Sequence, residues 1–449
     1  MTERIKRTPF PRTFWISNYM EIFERMAWYG FWAVSSLYLT APVAEGGLGF
    51  TSEQRGLIQG IVPFILYLLP ILTGALADRY GYKKTLLIAY LIMAPAYFLL
   101  GRFTSFEGFF IVFLLVAIGA ATFKPVITGT IARTTDDTNS SVGFGIFYQM
   151  VNIGGFLGPI VAGIVRAVSW EFVFIASSIW ISLNIILVTL FFREPTTEST
   201  SAQRRSLLQV LQGAVVVLKN WRFVLFLVIL SGFWTVFNQI FLSMPEYIRD
   251  FVDTRDILAT ALSISESLGL QGWANAIQQL IDSGSQVNPE YIINVDAGLI
   301  IIFQVLVSWA IARLKPFSVM IMGTVLLSVG FILTAFMHSG WPLIFAIMFI
   351  AFGEMMASPK SQEYTGKIAP KEKKALYMGY YFICIALGNL AGGILSGQFY
   401  GHYARDLQRP DIMWKLFGAM GIVTAIILFA YNAFILVPSE KRAGNSKAI

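Results

Sequence analysis

The stretch Gly74–Lys84, GALADRYGYKK, places Asp78, Arg79, Lys83 and Lys84 between two long apolar runs, 54–77 and 84–101. Charge at that density reads as a turn between two helices. Gly81 lets the chain double back tightly, and Gly74 lets the flanking helices approach closely. Asp78 can accept hydrogen bonds or pair with a base. The three basic residues hold the turn on the inner side of a bilayer. Whether this is a plain charged turn or the mark of a membrane hairpin depends on the sequence to either side.

That sequence is apolar nearly throughout. Of 449 residues, 56% are hydrophobic and 13% charged, against roughly 25% charged in soluble domains. A membrane-spanning helix needs about 20 mostly apolar residues. Twelve segments qualify: 14–41, 54–77, 84–101, 108–133, 142–166, 170–192, 222–247, 296–313, 316–337, 341–366, 373–400 and 411–437. With twelve spans, the basic residues sort to one side. Arg4, Lys6, Arg7 and Arg12 precede span 1. Arg193, Arg204, Arg205 and Lys219 follow span 6. Arg313 and Lys315 lie between spans 8 and 9, and Lys367, Lys371, Lys373 and Lys374 between spans 10 and 11. The opposite loops are poorer in basic residues. Both termini are therefore expected in the cytoplasm, with the chain in the plasma (inner) membrane.

The polar run FFREPTTESTSAQRR follows span 6 and leaves six spans on each side. The expected fold is all-α, with two six-helix bundles, 1–193 and 222–440, and a linker over 194–221. In the linker, Leu207, Leu208, Leu211, Val215 and Leu218 recur near helical spacing, which predicts an amphipathic helix on the inner membrane surface. The loop over 248–295 lies on the outer side, and its mixed pattern predicts one or two short amphipathic helices.

Several function classes are excluded. The net charge of +7 sits in short connectors, where it reads as topology and not as a nucleic-acid surface. Cys384 is the single cysteine, and His338 and His402 are far apart, so neither a disulfide framework nor a metal site is expected. There is no Ser–His–Asp set or phosphate loop, so an enzyme is not expected, nor any cofactor. The basic N-terminus is followed by a charged apolar stretch without a small-residue cleavage site, so span 1 is expected to be retained.

Span 1 carries the sequence's oddest feature. NYMEIFERMAWY, Asn18–Tyr29, contains Glu21, Glu24 and Arg25. At about 100° per residue, Glu21, Arg25, Trp28 and Trp32 share one face, with Glu24 about 60° to the side. A glutamate four residues before an arginine is the favoured order for an ion pair. An unpaired charge at membrane depth costs on the order of 2.5–3.5 kcal/mol or more. The three charges must face one another or a water-filled cavity, unless they lie in the headgroups. Lys124, deep in span 4, favours the cavity. It needs a counter-charge, and Glu21 or Glu24 is the natural partner. Such a pair can exchange a proton for substrate charge. Trp28, Tyr29, Tyr67, Tyr148 and Trp234 are candidates to line a cavity. Asn152, with Tyr148 and Gln149, offers neutral hydrogen bonds. Gly154, Gly155 and Gly158 read as close-packing sites. In span 10, Pro359 after Ser358 is expected to bend the helix. Lys360, Glu363 and Lys367 read as an inner gate or a solvated face.

The turn GALADRYGYKK resembles the signature of the major facilitator superfamily, whose plan is two six-helix halves with substrate held between them. Within it, EIFERMAWYG, YLLPILTGALADRYG, GAATFKPVITGTI, FYQMVNIGGFLGP, FWTVFNQ and GEMMASPKSQEYTGKIAP resemble, in order, motifs of the proton-coupled oligopeptide transporter (POT/PTR) family. The resemblance implies a proton-driven symporter of di- or tripeptides working by alternating access. It implies that Glu21, Glu24, Arg25, Lys124 and Glu354 couple protons. It also implies that Arg25, Lys124, Asn152, Asn238, Glu354, Ser358 and the aromatics bind substrate, and that Asp78, Arg79, Lys360 and Glu363 act in gating. By analogy the chain is a monomer, with a small solute and the bilayer as its partners. The chain departs from the pattern in three places, the first being Trp28–Tyr29 where the family has a tyrosine pair. Phe31, Trp32 and Ala33 stand where peptide-transporting members have an arginine, and Asn238 stands where span 7 has an acid. These favour an alternative, a related symporter or exporter of an amino acid, a modified peptide or an organic anion.

Overall fold

The computed structural model describes residues 9–136, 138–195, 213, 215, 217–370 and 374–436. They form eighteen α-helices: α1 Arg12–Thr40, α2 Ser52–Leu68, α3 Pro70–Tyr80, α4 Tyr82–Leu100, α5 Phe106–Arg133, α6 Ser140–Arg166, α7 Trp170–Ile186, α8 Trp221–Phe237, α9 Gln239–Leu242, α10 Met244–Phe251, α11 Arg255–Ser267, α12 Gln271–Asp282, α13 Pro289–Ile293, α14 Val295–Ala310, α15 Pro316–Thr334, α16 Gly340–Ile368, α17 Lys374–Phe399 and α18 Pro410–Tyr431. Among the described residues there is no strand, only an isolated bridge between Asp253 and Ser339.

Among the described residues, eleven helical stretches are long and apolar enough to cross a membrane. Helix α1 is the remaining expected span. Its 29 residues reach about 43 Å at about 1.5 Å per residue, and its charges set it apart in composition. This is a multi-pass membrane protein. The expected linker helix lies largely outside the described residues, as do Arg4, Lys6, Arg7, Lys371, Lys373 and the basic residues that follow span 12, Lys441, Arg442 and Lys447. The long loop holds α11, α12 and the short α13, one more than the one or two helices its pattern predicts.

The chain forms two compact units. The first comprises Met1–Phe50, Ile58–Val224 and Pro370–Leu390; the second comprises Thr51–Leu57, Leu225–Ala369 and Ala391–Ile449. These boundaries differ from a division at the linker, because α2, α8 and α17 each supply residues to both. In the first unit α1 packs on α6 and α7, and α4 on α5 and α7. In the second, α15 packs on α16 and α18, and α14 on α16.

Local sequence explains the element ends. Helix α1 stops at Ala41, which is extended at ψ 145° because Pro42 follows and disfavours helical geometry before it. The turn of Gly74–Lys84 closes at Gly81, whose φ of +91° suits a residue without a Cβ. The carboxylate of Glu194 then caps α4, accepting the Tyr82 N–H at 2.5 Å and the Lys83 N–H at 2.9 Å. Two orphan donors of the helix N-terminus are satisfied this way.

Gly74 is not the close-approach point expected of it. A Cβ there would meet Pro125 Cβ at 3.5 Å, an ordinary contact. A tight crossing lies instead between α1 and α6. A Cβ on Gly154 would come 2.6 Å from Arg25 Cβ, and one on Gly158 would come 2.7 Å from the Met26 carbonyl. Only bare backbone fits at that separation. At Gly155 the nearest atom stands 3.5 Å away, so a small side chain fits there, against expectation.

Candidate functional site

In the first unit, α1 carries its charges inward. Glu24 is fully buried, and Glu21 and Arg25 are each 2% exposed. Arg25 Nε donates to Glu24 Oε2 at 2.5 Å and lies 3.3 Å from Glu21 Oε1. The Arg25 guanidinium also sits 5.6 Å from the centre of the Tyr29 ring. Helical geometry dictates this grouping, since residues one and four apart on α1 are within reach of one long side chain. A second Glu24 oxygen, Oε1, is buried without a hydrogen-bond partner.

Lys124 departs from expectation. Its natural partner appeared to be Glu21 or Glu24, yet both carboxylates go to Arg25. Lys124 Nζ instead lies 4.8 Å from the centre of the Tyr67 ring, a cation–π contact. It makes no ion pair among the described residues. Glu21, Glu24, Arg25 and Tyr29 are all within its electrostatic range. Arg25 prevails in the competition because it shares a helix with both acids, whereas Lys124 must reach across from α5.

Pro125 follows Lys124 inside α5. Proline cannot donate to the carbonyl four residues back, which leaves Ala121 oxygen without its helical partner. The Thr73 hydroxyl donates to that oxygen at 2.7 Å. The same device recurs in the second unit. Pro359 lies within α16, which continues through it, and the freed Met355 carbonyl accepts Gln304 Nε2 at 3.3 Å. In both places a side chain from a neighbouring helix makes good the backbone bond lost at the proline.

The other first-unit candidates are dispersed. Trp28 is packed inside, stacked on Trp32 with ring centres 5.5 Å apart. It contributes to an aromatic core with Phe31 and Phe113. Asn152 Nδ2 donates to the Tyr148 carbonyl of its own helix at 3.1 Å, and the Tyr148 ring is exposed. Arg79 is exposed and stacks on Tyr80 at 5.5 Å. Asp78 falls in α3, and its side chain lies outside the described residues.

In the second unit, Glu354 is half-buried and accepts a hydrogen bond from Ser358. Lys360 pairs with Glu363 at 2.8 Å, and Lys367 pairs with the same carboxylate. Trp234 and Asn238 are buried, and among the described residues Trp234 Nε1 and Asn238 Nδ2 have no hydrogen-bond partner.

Sequence reasoning missed a buried polar network in this unit. Arg55 Nε lies 2.8 Å from Glu246 Oε1, with both side chains fully buried. Arg55 also donates to the Leu242 carbonyl at 3.1 Å and to Ser396 Oγ at 2.5 Å. Ser396 is 2.7 Å from Ser243 Oγ, which donates to Gln239 Oε1 at 2.8 Å. Arg405 reaches Glu246 Oε2 at 3.1 Å. On α10, burial disfavours the Arg249 charge, but Asp250 and Glu246 outweigh it and raise its pKa above the usual arginine value. Arg55 was hard to single out, because it follows Ser52, Glu53 and Gln54 at the polar start of its span and reads as a helix-end charge. So was Glu246, because MPEYIRD reads as a span end. The pairing of residues nearly two hundred positions apart has no local signal.

The comparisons with known proteins agree with this architecture. The chain is 23% identical to the peptide transporter YePEPT of Yersinia enterocolitica subsp. palearctica over 98% of each chain. It is 20% identical to the multidrug resistance protein MdtH of Yersinia enterocolitica, over 85% of this chain and 86% of that protein. Among solved structures, a peptide transporter POT in complex with sulfate shares the fold, with a TM-score of 0.75 at 17% identity over 94% of each chain. The family model described as Major Facilitator Superfamily matches residues 22–283 and 254–449. With that match over most of its length, and a charged turn joining its second and third spans, the chain belongs to the Major Facilitator Superfamily.

Proposed function

We propose that this protein is a secondary active transporter of the POT/PTR type, a proton-coupled symporter of di- and tripeptides working by alternating access. The observation that carries the reading is the buried Glu21–Glu24–Arg25 cluster beside a Lys124 that, among the described residues, has no ion-pair partner. Buried charges in a membrane helix are functional by default. Lys124 is held over a ring face, ready to meet an anion such as a peptide carboxylate. A proton reaching Glu21 or Glu24 removes one of the charges that hold Arg25. Protonation thereby frees a cation for the incoming anion, so proton binding and anion binding favour one another, which couples them. The YePEPT relative, named for peptides, supports the substrate class. Glu354 and Ser358 supply a polar contact for substrate in the second unit. The driving force is the proton gradient, without a cofactor. The protein works as a monomer in the inner membrane with both termini cytoplasmic.

A second reading has its own support. Phe31 and Trp32 occupy the turn where a carboxylate-clamping arginine was expected, and both are packed into the aromatic core. This favours transport of another small solute, and the likeness to MdtH is consistent with export.

Uptake of labelled dialanine into proteoliposomes, with and without an inward proton gradient, separates the readings. Accumulation that collapses with the gradient supports peptide symport. Absence of peptide uptake rejects it. Lys124→Ala is expected to abolish accumulation while sparing exchange across the membrane. Full accumulation in that variant would sink the central assignment.

A further inference from the structure

Asp296 belongs to no motif used so far. It is the second residue of α14 and lies inside the span Pro289–Ala310. It is 2% exposed, and its Oδ1 is buried without a hydrogen-bond partner. Glu354, on the adjoining helix α16, is within electrostatic range.

The charged neighbours can be enumerated. Helix α13 brings Glu290, fully buried, and Tyr291. Helix α16 brings Glu354, Lys360, Glu363 and Lys367, with Tyr364. The cations of this set, Lys360 and Lys367, both pair with Glu363. Among the described residues, no cation is paired with Asp296 or Glu354.

Two neighbouring carboxylates cannot both be ionised cheaply in a medium of low dielectric. A cation or a proton must relieve them. At 2% exposure there is no room at Asp296 for a solute ammonium, whereas a proton needs none. Glu354 is more open, and its carboxylate is already oriented by Ser358.

We propose that Asp296 is a proton-carrying residue of the transport cycle, sharing a proton with Glu354. The pair takes one proton from water on one side of the membrane and returns it to water on the other, and no other bond changes. Asp296 thereby supplies the acidic group that Asn238 does not. This proposal rests on the proton-coupled reading above.

The test uses the purified full-length protein and two independent readouts. Infrared difference spectra across a pH titration report the carbonyl stretch of a protonated carboxyl group. A band present in the wild type and absent in Asp296→Asn is expected. In Glu354→Gln, relief of like-charge repulsion should move the midpoint of the remaining band down by on the order of one pH unit. Asp296→Glu retains an acid and should keep a shifted band, which guards against misfolding of the asparagine variant. In proteoliposomes, Asp296→Asn should lose at least about tenfold in gradient-driven accumulation and keep exchange. Identical bands in wild type and Asp296→Asn, or undiminished accumulation in that variant, would overturn the proposal. If the wild type carries no peptide, the peptide reading fails, and the infrared band still decides the role of Asp296.

Discussion

Gly154 on α6 lies directly against Arg25 on α1. A single methyl carbon added at Gly154 would stand 2.6 Å from Arg25 Cβ and 2.7 Å from the Ile22 carbonyl. The guanidinium that gathers Glu21 and Glu24 is therefore placed by a helix crossing that tolerates no side chain. The site's electrostatics depend on a packing feature one helix away.

Substitution of Gly154 should act on function through this crossing. Gly154→Val forces α1 and α6 apart, and overpacking of this kind costs about 1–3 kcal/mol. Gly155→Ala meets only an ordinary contact and serves as the control. Thermal unfolding in detergent and gradient-driven uptake should both fall in the first variant and stay near wild type in the second. Equal behaviour of the two would contradict the assigned crossing.

Thr73 should matter through a hydroxyl alone. Thr73→Val preserves shape but strands the Ala121 carbonyl beside Pro125. Leaving a buried acceptor unpartnered costs about 1–3 kcal/mol. Thr73→Ser should recover most of the loss in unfolding temperature. A valine variant as stable as the serine variant would show that the carbonyl finds another donor.

The Arg55–Glu246 pair should be costly to break singly and cheaper to remove whole. Glu246→Gln leaves the buried Arg55 charge uncompensated, at about 3–5 kcal/mol, whereas Arg55→Met should cost less, because Arg405 still pairs with Glu246. The double variant Arg55→Met with Glu246→Met should be less destabilised than the sum of the singles. A double-mutant cycle on unfolding midpoints measures the coupling; strict additivity would rule out the pair as a stabilising unit.

At the start of α11, the Arg255 side chain and backbone N–H hydrogen-bond Asp253 and lower its pKa to about 2. A carboxylate depressed in the folded state contributes stability that is fully present above its unfolded pKa of about 3.9. That contribution is lost only as pH falls through the folded value. The turn should thus survive the mildly acidic conditions of a proton gradient. Hydrogen exchange of the Arg255 amide, corrected for intrinsic rate, should be unchanged between about pH 7 and pH 5 and rise only toward pH 2. An increase already at pH 5 would contradict this.

Several features of the site were legible because they arise within one helix. Glu21, Glu24 and Arg25 are grouped by the helical repeat alone, and their burial follows from the apolar run around them. Lys124 was conspicuous as a base with no local partner. Its position over Tyr67 was not legible, because Tyr67 belongs to α2 and no local spacing relates it to α5. Trp28 looked like a cavity residue by its face. It is core, because Trp32 one turn on stacks against it and Phe113 closes from α5.

By itself, the sequence determined the helical spans, the charged turn at Gly74–Lys84, the family, and the self-contained charge cluster of α1. These depend on apolar run length and on spacings of one to four residues, which are local properties. Tertiary structure alone decided that Glu194 caps the signature turn, that Thr73 and Gln304 repair the carbonyls freed by Pro125 and Pro359, and that Asp296 comes within electrostatic range of Glu354. It also decided that Arg55 finds Glu246. In each case a buried polar group had to be satisfied by a residue far away in the chain, and hydrogen-bond or charge satisfaction carries no periodic trace in sequence.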